Sequence, residues 1–188
     1  EMGLTISYRG SLRDPSAAEM LLGDVFDLCM EMGWYYMPIH RSNVMPAKGI
    51  MITPQGCETI ILAFLTNGVL YDPFHFIYTE HPEREVVKED RYQWIHVKTR
   101  YAGVDTHIAI IKMLRYLSTK YFESFELRDP SGYWDTGNAA ACFEHFGEFV
   151  SPFTFGDEII EDEDEEESES SKMDEALWNR GAPEISLN

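Results

Sequence analysis

The sequence predicts an α+β fold: an antiparallel sheet of about six or seven strands with two long helices packed on one face, in the order β-α-β-β-β-β-β-α-β. Three observations carry this. Two stretches, Asp14 to Gly33 and Gly103 to Tyr121, repeat apolar residues at helical steps of three and four. Between and around them lie short runs that alternate apolar and polar residues, the period of half-buried strands. An Asn67-Gly68 pair joins two of those runs, and both residues tolerate the positive φ of a tight hairpin turn, so the pairing there is antiparallel.

Taken in order, Leu4 to Arg9 alternates as a first strand. Asp14 then serves as N-cap and Pro15 as first helical residue, and Leu21, Val25, Leu28 and Met32 form a stripe that Gly33 ends. Trp34 to Met37 reads as a strand broken by Pro38, followed by strands at Lys48–Thr53 and Glu58–Thr66. After the Asn67-Gly68 turn, Phe74 to Thr79 extends the ladder and Glu80 to Asp90 is a charged connection. Arg91 to Arg100 is a further strand. In the second helix Ile108, Ile111, Leu114 and Leu117 share one face, and Asp105 is positioned to cap its start. Phe122 to Leu127 alternates again, so this helix feeds directly into a strand. A short helix is expected over Ala139 to Val150, with Ala140, Phe143, Phe146 and Val150 as its stripe.

Charge divides the chain in two. The 188 residues carry a formal net charge of -18, but ten of the 33 acidic residues fall in Asp157 to Glu169 with no basic residue among them. The expectation is a single domain over residues 1–156 and an acidic, largely disordered tail over 157–188, with Leu177-Trp178 as a docking segment. Such a polyanion favours basic partners and repels nucleic acid, and the body shows no basic stripe, so direct nucleic-acid binding is not expected. Cys29, Cys57 and Cys142 are odd in number and lack metal spacing, which points to free thiols in a reducing compartment. With no apolar window long enough for a bilayer, a cytoplasmic protein without membrane attachment is expected.

Chemistry-bearing motifs are sparse. No nucleophile elbow, phosphate-binding glycine loop, HExxH or cysteine pair occurs, and neither a cofactor, a metal nor a catalytic residue is assigned. His75 and His81 lie near Asp72 without ligand spacing, His107 reads as a tolerated neutral ring, and Cys57 has no nearby cation to activate it. Leu12-Arg13-Asp14-Pro15-Ser16 recurs as Leu127-Arg128-Asp129-Pro130-Ser131, which is read as a repeated way of leaving a strand.

The strongest functional signal is physical. Along one strand Tyr92, Trp94, His96 and Lys98 fall on one side and Ile95 and Val97 on the other. With helices on one face only, the aromatic and basic row faces outward as a binding surface for a protein or small ligand. Tyr133, Trp134 and Asp135, in the loop Gly132 to Gly137, either cover that surface or staple the core. The first reading is therefore a non-enzymatic binding or regulatory module. The second is a small hydrolase or transferase with a pocket between the sheet face and that loop, using His96 with Asp135 or Glu58.

Overall fold

The computed structural model describes residues 4–74, 94–149 and 167–182. The chain is α+β, but its strands form two three-stranded antiparallel sheets rather than one larger sheet. Strand β1 (Thr5–Leu12) lies between β5 (Ile95–Lys98) and β6 (Phe122–Arg128); β3 (Lys48–Thr53) lies between β2 (Tyr35–Ile39) and β4 (Ile60–Phe64). The hairpin explains the division. A hairpin turn forms there, but as a three-residue loop rather than a two-residue turn centred on Asn67-Gly68: Gly68 N–H donates to Leu65 O, Gly68 itself sits at φ 83°, and Leu65 N–H donates to Val69 O. Among the described residues its return arm makes isolated bridges at Val69 and Leu70, to Ser11 and Phe64, and Tyr71 N–H still donates to Ala63 O. Beyond it Asp72 turns its carboxylate onto the Phe74 amide, and Pro73 has no N–H to give. Among the described residues the two sheets therefore meet at isolated bridges and single hydrogen bonds, such as Glu58 N–H to Lys98 O, instead of along a ladder.

Residues 75–79 of the strand expected at Phe74 to Thr79, the charged connection to Asp90, and Tyr92 lie outside the described residues. β2 runs through Pro38 instead of stopping there. Among the described residues it is an edge strand, paired with β3, the position in a sheet where a proline is tolerated.

The first helix begins as a 3-10 turn (Pro15–Ala17) whose cap, Asp14, accepts from the Ser16 amide; α1 (Ala18–Met32) follows and ends at Gly33, φ 67°. The second long helix, α2 (Val104–Tyr121), is capped differently from expectation: Gly103, at φ 86°, occupies the cap position, and Asp105 is engaged elsewhere. Each long helix serves its own sheet, α1 against β2 and β3, α2 against β6, rather than both lying on one. A four-residue turn of helix, α3 (Tyr133–Thr136), and α4 (Ala139–Phe149) follow β6. The buried face of α4 is Cys142 and Phe146, whereas Ala140 and Phe143 are exposed.

A fifth helix, α5 (Glu169–Trp178), lies within the stretch expected as tail. It packs between α1 and α2 and buries Met173, Ala176 and Leu177, while Trp178 points to solvent. Polar ties fix its position. Asp105 accepts from Ser170 N–H at 3.2 Å and from Ser170 Oγ at 2.5 Å, so a carboxylate on α2 satisfies a first-turn amide of α5. Lys112 reaches Asp174 at 2.6 Å, Trp34 Nε1 donates to Glu169, and Arg180 reaches Asp24, Asp27 and Glu31 of α1. Residues 157–166 and 183–188 of the expected tail lie outside the described residues.

The core runs through both sheets. Ile6, Tyr8, Leu12, Ile95 and Val97 supply the inner face of the first, and every residue of β4 is buried. Tyr8 links the two: its hydroxyl donates to Ile61 O at 2.7 Å and accepts from Ile61 N–H at 3.1 Å.

Candidate functional site

Alternation along three strands builds an outward face on the β5-β1-β6 sheet. With Ile95 and Val97 buried, Trp94, His96 and Lys98 project the other way. The register sets Lys98 opposite Thr5, His96 opposite Ser7, and Ser7 in turn opposite Arg128 of β6; one step along, Arg9 stands opposite Glu126. This face therefore carries two cross-strand rows, Glu126-Arg9-Trp94 and Arg128-Ser7-His96, with Thr5 and Lys98 beyond.

The rows are knitted by hydrogen bonds. Arg9 forks onto Glu126 through Nε and Nη2 at 2.9–3.1 Å. Ser7 Oγ is 2.8 Å from His96 Nδ1. The guanidinium carbons of Arg9 and Arg128 lie 4.6 and 4.1 Å from the centroid of the Trp94 ring, within cation–π range. Lys98 is held by Glu58, which accepts from its backbone N–H at 2.9 Å and faces its Nζ at 3.9 Å.

Tyr133, Trp134 and Asp135 do not join this face. Trp134 packs on Phe125, an inward residue of β6 that also stacks on buried Tyr8. The Arg115 guanidinium lies 3.8 Å over the Trp134 ring and donates to Trp134 O. Tyr133 is buried, and Asp135 is exposed on α3. The loop is a staple of the core on the opposite side of the sheet from Trp94, so its glycines place no lid over the row. The proposed acid–base partners are also apart in their bonding: His96 engages Ser7, and Glu58 engages Lys98.

A second polar cluster escaped the sequence reading. His107, wholly buried on α2, has Nδ1 2.7 Å from Thr99 Oγ1 and Nε2 3.0 Å from Asp129 Oδ1 and 3.1 Å from Ser131 Oγ. Asp129 also accepts from the Ser131 and Trp134 amides. Burial works against its charge, but the His107 hydrogen bond and attraction, with Ser131 and the Trp134 amide, outweigh that and hold its carboxyl down at about 2. Phe146 closes over the imidazole at 5.1 Å. Both ring nitrogens are engaged and the group is shut off from solvent, which makes it a clamp joining α2, α4 and the chain after β5 and β6. One signal was available: Asp129 and Ser131 form the same turn as Asp14 and Ser16, where Asp14 likewise accepts from the Ser16 amide and hydroxyl. The second turn is buried, and His107 meets it.

The thiols are quiet. Burial, with Glu58 adding repulsion, pushes Cys57 up to about 12; burial does the same to Cys29 and raises Cys142. On the second sheet Pro38, Ile39, His40, Met45, Met51, Pro73 and Phe74 line an apolar cleft of about 250 Å³ that holds no carboxylate among these residues. Among the described residues no group of three or more metal-ligating side chains converges, and no helix is long and apolar enough to cross a membrane. Comparison of the chain with protein-family models, with curated proteins and with solved structures finds no match.

Proposed function

We propose that this protein is a non-enzymatic binding module that docks a partner polypeptide on the outward face of the β5-β1-β6 sheet. The observation that carries the reading is Trp94: a large ring on a face left open by the loop nearest to it in character, and held in place by two arginines. Rigid aromatic and arginine side chains supply contact area at little entropic cost, which is why they anchor interfaces. The acidic stretch Asp157 to Glu169 adds long-range attraction for a partner of basic overall charge.

A quantitative pull-down tests this. Partners retained by the full chain should be lost with Trp94→Ala and retained with Met30→Ala, a change on exposed α1 surface. Equal capture by all three proteins would end the proposal.

A further inference from the structure

Resting on that docking reading, we infer that the face anchors its partner through a carboxylate, seated above Ser7 between Arg128 and His96. The charges on this face are unequally compensated. Arg9 is neutralised by its fork onto Glu126, and Lys98 shares Glu58. Arg128 is exposed, and among the described residues its one contact of this kind is the Trp94 ring, with no carboxylate in reach. Among the described residues it is the cation of this face that no carboxylate neutralises.

Shape supports the same point. Adjacent strands lie about 4.8 Å apart, so the backbones of Arg128 and His96 stand about 10 Å from each other across β1. Ser7 between them and Thr5 beyond are small, giving a floor below the longer Arg128, His96, Lys98 and Trp94 side chains. Ser7 and His96 also guarantee a donor. If the Ser7 hydroxyl donates to Nδ1, the ring carries its proton on Nε2; if Nδ1–H donates, the Ser7 hydroxyl proton is released. In either tautomer a neutral N–H or O–H remains beside the Arg128 fork, whose planar geometry matches a carboxylate.

The occupant is a segment with a single Asp or Glu beside an apolar side chain that rests on Trp94. A polyanion such as nucleic acid fits poorly, because the Arg128 cation is set against a chain of net charge -18. An isolated carboxylate on an otherwise neutral or basic partner avoids that repulsion and agrees with attraction by the acidic stretch.

Selection from a library of displayed random nonapeptides tests the inference, with the full chain as bait and Trp94→Ala for counter-selection. Peptides that depend on Trp94 should share an acidic residue next to an apolar one. Replacing that acid by its amide, or Arg128 by Gln in the bait, should each weaken binding about tenfold, the scale of one charge-assisted pair. Thermal melts of Arg128→Gln confirm its fold. Trp94-dependent peptides without an acid, or unaffected by Arg128→Gln, overturn the carboxylate and leave the docking face standing. A selection that yields no Trp94-dependent peptide overturns both.

Discussion

Nε2 of His107 stands 3.0 Å from Oδ1 of Asp129, and both side chains are completely buried. The Asp129 carboxyl falls from 3.8 to about 2 on folding. A lowered carboxyl contributes stability that is complete above the unfolded value and is lost as pH falls through the folded one. The window is therefore about pH 4 down to about pH 2, and the contribution is about 2 kcal/mol. Urea unfolding across that range should show the slope in the parent protein and a flatter profile in Asp129→Asn, which is also less stable at pH 7 by about 1–3 kcal/mol because the amide cannot accept from the buried donors around it as the carboxylate does.

Helix α5 belongs to the fold. Leu177→Ala should destabilise by about 3 kcal/mol, as core leucines do, whereas Trp178→Ala, at an exposed neighbour, should stay within about 0.5 kcal/mol. Removing residues 167–188 should lower Tm by several degrees in calorimetry. An unchanged Tm would mean that the seam of Met173, Ala176 and Leu177 contributes nothing.

Tyr8 and Trp94 separate stability from docking. Tyr8→Phe strips the hydroxyl that serves both Ile61 O and Ile61 N–H, leaving buried groups unpaired at a cost of about 1–3 kcal/mol, with partner capture intact. Trp94→Ala, at a half-buried ring of the outer face, should do the reverse. Denaturant midpoints and capture assays on the two variants check the crossing pattern.

Thiol labelling provides a fourth check. With Cys29 and Cys57 raised to about 12 and Cys142 raised by burial, little thiolate exists at pH 8. The folded protein should react slowly with a disulfide reagent, and three thiols should titrate at once after denaturation.

Legibility followed the range of each interaction. Helix α1 could be read because its cap, its proline and its closing glycine are all within twenty residues. The outward placement of Trp94, His96 and Lys98 came from simple alternation. Helix α5 was hidden because its buried seam is three residues set among acids, and what orders it is α1 and α2, which lie far away in sequence. The division into two sheets depended on β1 pairing with the distant β5 and β6 rather than with its sequence neighbours, which alternation along a strand does not encode. The His107 clamp joins positions 99, 107, 129 and 131, which only the folded chain brings together, and Arg9 and Arg128 reached the Trp94 ring by the same route.

Tyr121 ends α2 and Phe122 begins β6 with nothing between them. Inserting or deleting one residue just after this joint would rotate the whole strand by half a pleat, sending Phe125 and Leu127 into water and Glu126 and Arg128 into the interior. The joint thus does not tolerate a change in chain length, and it makes the orientation of the outer face a matter of counting from the helix.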